Sequence, residues 1–225
     1  MIVEEIQRYI QENYEDKKKK IGYYYPSQIP YCLRKQYWDY IDPLPPSEES
    51  INVFFLGNLI HEAVEKILGE KISGKSEKQL LIPVDLRQGI FITGRADLVL
   101  ENDEDEITVV EIKTTNSLVY KDKDGFKEKN EPSEHHIVQI MPYLYAFNAK
   151  QGIIVYIDRQ RMKMKEFVVH RDWRMMEKIF ERVRKLHEHI VKKKLPPPES
   201  MKDPRRRWEC GYCQYKFRCY TDVLK

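Results

Sequence analysis

The sequence predicts an α/β fold, an α+β arrangement around a mixed sheet, in one domain of 225 residues. Three observations predict it. Short runs rich in Ile, Val, Leu and Thr at 79–86, 89–101 and 107–113 read as successive strands split by turn residues. Between 132 and 194 a helical stretch, two further strand-like runs and a second helical stretch follow. All four cysteines lie outside that core, one at Cys32 and three in the run Cys210-Gly-Tyr-Cys213-Gln-Tyr-Lys-Phe-Arg-Cys219. The length suits one well-buried unit and falls short of two full-sized domains. It divides into a helical N-terminal segment (1–50), a core (51–194) and a linker with a cysteine tail (195–225).

From the N-terminus, 3–18 spaces Ile6, Tyr9, Ile10 and Tyr14 as an amphipathic helix does, and Tyr23-Tyr24-Tyr25-Pro26 breaks it. Ser27 is placed to cap a short helix that runs through Cys32 to Tyr40. The proline-rich 42–50 is a loop, and a second helix fits 53–68. The three strands that follow read as a meander. Pro132-Ser133-Glu134 opens a helix to about Asn148, with His135 and His136 on the surface at its start. Strands at 153–157 and 162–170 are joined by 158–161, and a helix over 172–194 stops at Leu195-Pro196-Pro197-Pro198. A proline-rich, basic linker then delivers the tail.

Charged residues make up 33% and hydrophobic ones 41%, and no apolar run reaches membrane-spanning length, so the composition is that of a soluble protein with no membrane partner. A formal net charge of +3 is too small to argue nucleic-acid binding by itself. Basic blocks at 17–20, 192–194 and 205–207 and an acidic turn at 101–106 read equally as solvated faces. The N-terminal Met-Ile-Val-Glu-Glu-Ile-Gln-Arg lacks the apolar core of a secretory signal, so a reducing, cytoplasmic setting is expected. There, four thiols favour a metal centre over two disulfides. Two thiolates two residues apart, a third just beyond and a distant fourth make a soft tetrahedral shell that suits zinc or iron-sulfur, and spacing alone does not choose. Such a centre joins both ends of the chain and ties down segments that would otherwise fray.

The chemistry sits on the strands. Gly94-Arg95-Ala96-Asp97 ends a turn into one strand, and Val109-Val110-Glu111-Ile112-Lys113 is the core of the next, so Glu111 and Lys113 share a face by period two. Two carboxylates converging beside a lysine in an apolar sheet fit a magnesium or manganese ion. They fit a buried ion pair with Lys113 equally well. The run Gly69-Glu-Lys-Ile-Ser-Gly74-Lys75-Ser76 matches a phosphate-binding loop letter for letter. It follows a helix and precedes a strand, the reverse of the required context, so no ATP site is expected and Gly69 reads as a helix stop.

Four motifs in order, Gly57-Asn-Leu-Ile-His61, Gly94-Arg-Ala-Asp97, Glu111-Ile-Lys113 and Gln139-Ile-Met-Pro-Tyr143, give the chain a resemblance to the PD-(D/E)xK nucleases of the RecB-like type. The flanking cysteines resemble the iron-sulfur branch of that family, and the compact length resembles its CRISPR-associated exonucleases. The resemblance implies a restriction-endonuclease-like core and a 4Fe-4S cluster on Cys32, Cys210, Cys213 and Cys219. It also implies Mg2+ or Mn2+ held by His61, Asp97, Glu111 and the carbonyl of Ile112. Lys113 would then position or activate water and stabilise phosphate charge, with Gln139 and Tyr143 contacting the DNA backbone or the lysine. Pro142 lies between those two and kinks the helix or marks its first turn. The implied activity is exonucleolytic cleavage of single-stranded DNA, 5'-to-3', trimming new spacer DNA beside CRISPR integrase proteins. Tyr24, Arg34, Lys35 and Arg206 are the expected DNA contacts, through stacking and phosphate pairing. Two other readings are a cluster-bearing DNA-binding or assembly module with a vestigial site, and a repair or viral recombination nuclease.

Overall fold

The computed structural model describes residues 1–14, 18–71, 74–76, 78–102, 106–122 and 125–223. Helix α1 (Ile2–Glu12) ends short of the predicted residue 18 and has none of its residues buried. After the two-residue strand β1 (Tyr23–Tyr24), helix α2 (Leu33–Ile41) begins with Cys32, not Ser27, at its N-cap. Helix α3 (Glu48–Lys71) starts five residues earlier than expected and continues past Gly69, which therefore does not stop it. Strand β2 (Gly74–Ser76) follows, so the phosphate-loop match does run from helix into strand.

Strands β3 (Gln79–Asp85), β4 (Ile90–Arg95), β5 (Leu98–Glu101) and β6 (Ile107–Thr115) come next. The hairpin of β7 (Val119–Asp122) and β8 (Gly125–Glu128) was not foreseen, because its lysines and acids carry no apolar alternation. Helix α4 (Glu134–Ala146), β9 (Gln151–Asp158), β10 (Met164–His170) and α5 (Trp173–Val191) complete the core. The tail carries α6 (Glu199–Lys202), α7 (Trp208–Gly211) and α8 (Lys216–Val223).

The predicted meander is in fact divided between two sheets. Strands β1, β4 and β3 form one, in the order β1-β4-β3, and the other runs β10-β9-β6-β5-β2. The chain crosses between them at Ala96 and Asp97. The Asp97 carboxylate accepts the main-chain N–H of Ile112 at 2.7 Å, and this side-chain bond takes the place of a ladder bond where β4 gives way to β5. Within the larger sheet β6 pairs with β9 in parallel and with β5 antiparallel.

Strand β6 is covered on both faces, which is why Val109, Val110, Glu111 and Ile112 are all buried. Helix α4 lies against it and β9. At Gly152 a Cβ would stand 2.7 Å from Ile140 Cδ1 and 2.9 Å from the Val109 carbonyl, so the close seating of α4 needs glycine there. Helix α5 buries Met176, Ile179, Val183, Leu186 and Ile190 on one face and is capped by Asp172, which accepts the Arg174 N–H at 2.8 Å. Among the described residues, no helix is long and apolar enough to cross a membrane.

Candidate active site and cysteine site

Period two does place Glu111 and Lys113 on one face of β6. Glu111 is 2% exposed, and its Oε1 accepts from Lys113 Nζ at 2.6 Å and from Gln139 Nε2 at 2.5 Å. Its Oε2 is buried with no hydrogen-bond partner among the described residues. Asp97 Oδ2 lies 3.7 Å from His61 Nδ1, so α3 brings the histidine to the point where the chain changes sheets. His61 also bonds the main chain of Ile112. One residue escaped the sequence reading. Glu65 stands one helical turn beyond His61, and ligand atoms of His61, Glu65 and Asp97 lie within 4.8 Å of one another. The four-residue spacing was the available signal.

Burial raises Asp97 to about 6, against the pull of Lys113 and of the Ile112 N–H. Burial likewise raises Glu111 to about 7, with Lys113 opposing. Burial works against the Lys113 ammonium, but Glu111 and Asp97 together hold it above the ordinary lysine value. Burial and Lys113 push His61 down, which leaves its ring neutral and able to donate a lone pair. A buried carboxylate oxygen without a partner, two carboxylates that hold protons near neutrality and a neutral imidazole form a donor set short of positive charge. Hard oxygens with one nitrogen suit Mg2+ or Mn2+.

Gln139 and Tyr143 both face inward, and Pro142 does not separate them. Gln139 reaches Glu111, not the lysine, and the Tyr143 hydroxyl donates to the Arg95 carbonyl at 3.0 Å. The same hydroxyl accounts for Gly94, where a Cβ would stand 2.9 Å away from it and 3.0 Å from Pro26 Cδ. His135 and His136, expected on the surface, are both half-buried. His136 Nδ1 is 2.6 Å from the hydroxyl of Tyr156, the register partner of Lys113 on β9. Burial, with Lys113 and Lys129 adding to it, pushes His136 down to about 3.

Cys32, Cys210, Cys213 and Cys219 are brought together in one cavity, lined also by Trp38 and Tyr215, and all four thiols are free.

The expected DNA contacts fare differently. Tyr24 is a core residue, 1% exposed, with its hydroxyl 2.8 Å from His187 Nδ1, so no base can stack on it. Arg34 donates to the Pro196 carbonyl at 2.7 Å and points towards Cys219 Sγ at 3.7 Å. Arg206 donates to Glu209 and to the Pro30 carbonyl, both at 2.8 Å. These two arginines tie the tail to the core, which is why they lie beside the cysteines. Lys35 pairs with Asp39 at 3.0 Å and keeps 29% of its side chain exposed.

The chain is similar to known proteins. The CRISPR-associated exonuclease Cas4 of Saccharolobus solfataricus is 28% identical over 165 residues, which is 73% of this chain and 70% of that one. The crystal structure of SSO0001 superposes with a TM-score of 0.64 at 25% identity, over 97% of this chain and 96% of that one. The family model of the PD-(D/E)XK nuclease superfamily matches residues 72–220, a span that holds Asp97, Glu111, Lys113, Gln139 and the three tail cysteines. On that match the chain belongs to the PD-(D/E)XK nuclease superfamily.

Proposed function

We propose that this nuclease is a metal-dependent exonuclease of single-stranded DNA, working 5'-to-3' as one domain over residues 1–225. We further infer that it processes new spacer DNA beside CRISPR integrase proteins in the cytoplasm, without ATP, and that its four cysteines hold a 4Fe-4S cluster. The observation that carries the nuclease reading is the convergence of Asp97, Glu111 and Lys113 with His61 around an unpartnered buried carboxylate oxygen. Likeness to Cas4 supports the substrate and the CRISPR setting. The gathering of Cys32, Cys210, Cys213 and Cys219, all with free thiols, around one cavity supports a metal centre on the cysteines.

His61, Asp97, Glu111 and the Ile112 carbonyl would hold the divalent ion, which supplies charge neutralisation and a lowered water pKa when bound. The residues of the chain do the rest. Lys113, kept as an ammonium, offers a point charge to a phosphate oxygen without competing for the metal. Gln139 fixes the rotamer of Glu111 through its amide. Tyr143 holds the chain straight ahead of Asp97 through the Arg95 carbonyl.

End-labelled single-stranded DNA with Mg2+ or Mn2+, cut by the wild type and left intact by Lys113→Ala, tests the chemistry, and the labelled end reports polarity. Binding without cutting by the wild type would favour a DNA-binding module. Anaerobic purification with metal analysis tests the cysteines: a brown protein with about four irons per chain supports the cluster, whereas one zinc would refute it.

A further inference from the structure

One carboxylate joins the two sites. Glu209 sits beside Cys210 with 4% of its side chain exposed. Its Oε2 accepts the main-chain N–H of Cys32 at 2.9 Å and the Ser200 hydroxyl at 2.9 Å. Its Oε1 accepts from Arg206 Nε at 2.8 Å and from His135 Nε2 at 3.1 Å. Four donors from four separate segments therefore meet on one buried group. A buried carboxylate is expensive unless every lone pair is used, and here each oxygen receives two bonds.

The His135 contact leads to the reacting centre. His135 is in the first turn of α4, four residues before Gln139, so the two lie on one side of the helix, and Gln139 bonds Glu111. The His135 ring is held between Tyr31 and Trp208, each with its ring centroid 5.1 Å away. Tyr31 adjoins Cys32 and lies near enough to Lys113 to favour its ammonium. Trp208 opens α7, the helix that carries Cys210. The segments that bear the first and second cysteines thus grip the start of α4 from both faces, and Glu209 pins it from the tail.

We propose that Glu209 is a positioning residue: through His135 it sets the seating of α4, and so of Gln139 on Glu111, making nuclease geometry depend on a folded cysteine site. The inference rests on the nuclease and four-cysteine readings above. Glutamine at 209 keeps the shape but turns one acceptor into a donor, which must then face Cys32 and Ser200 or Arg206 and His135.

The test uses Glu209→Gln, His135→Phe, which keeps the ring stack but not the bond, and their double variant. Amide hydrogen exchange across α4 is followed in the protein as isolated and after a chelator has stripped the cysteine site. The expected result is faster exchange in the first turns of α4 in either single variant, no further change in the double variant, and a similar loss of protection in stripped wild type. Cleavage should fall about tenfold or more in kcat with little change in KM. Wild-type protection of α4 in Glu209→Gln, or variant effects that simply add, would overturn the proposal. If Glu209→Gln does not fold, His135→Phe decides alone, since it alters neither cysteine segment. Exchange is read without turnover, so a wild type that cuts no DNA would sink the nuclease reading while leaving this coupling to be judged.

Discussion

Glu111→Gln should make the metal-free protein more stable while abolishing its activity. In the wild type Glu111 is buried, bonded through one oxygen to Lys113 and Gln139, and left with the other oxygen unpartnered. Burial raises it from the ordinary 4.5 to about 7, a net effect that already includes the pull of Lys113. A carboxyl raised on folding contributes stability that is complete below its unfolded value and lost as pH climbs through the folded one. The rise therefore corresponds to roughly 3 kcal/mol of strain at pH 8, which a neutral amide of the same shape relieves. For a chain of this size that is a gain in Tm of roughly 6 to 12 °C. Melting both proteins in EDTA at pH 8 and at pH 4.5 reads it out: the variant should melt higher at pH 8 and close to wild type at pH 4.5. Mn2+ at a thousandfold excess over Kd should reverse the order at pH 8, since only wild type then gains about 4.1 kcal/mol. A variant that melts below wild type in EDTA at pH 8 would refute the reasoning, because the Glu111–Lys113 pair would then be net stabilising.

Gly94→Ala should destabilise by about 1 to 3 kcal/mol, since its Cβ would meet the Tyr143 hydroxyl at 2.9 Å; Tyr143→Phe in the same chain should restore part of the loss in a denaturant titration. The Mn2+ concentration for half-maximal cleavage should fall as pH rises from about 5.5 to 7.5 and then level off, because Asp97 and Glu111 must shed protons to bind the ion. Glu65→Gln should raise that concentration about tenfold or more, measured at pH 8.

The clustering of the candidate site residues was legible because period two and motif order both act over short distances. Glu111 and Lys113 needed only the pleat of one strand, and Gln139 and Tyr143 only one turn of helix. Glu65 was just as local and was passed over, since the motif ends at His61. What stayed hidden depends on contacts far apart in the chain. The crossing at Ala96 and Asp97 cannot be seen in local propensity, because strand-forming residues flank it on both sides and a carboxylate bonded to Ile112 makes the break. Tyr24 and its neighbours look alike in sequence, and only the packing against His187 puts Tyr24 inside. His135 was read as a surface residue because its partner, Glu209, is 74 positions away.

The fastening of Cys32 and Leu33 to the tail also bears on biosynthesis. The main-chain N–H groups of these residues bond Glu209 and Glu199, so the start of α2 is completed by residues made 177 and 166 positions later. Cys219 is made 187 residues after Cys32, a delay of about 10 to 40 s at ordinary elongation rates. From the completion of α4 at Ala146 until Glu209 is made, the nascent chain carries His61, Asp97, Glu111 and Lys113 but lacks the carboxylate that bonds His135. On the proposed coupling, a chain that stops before residue 209 holds these candidate groups without the bond that seats the first turn of α4.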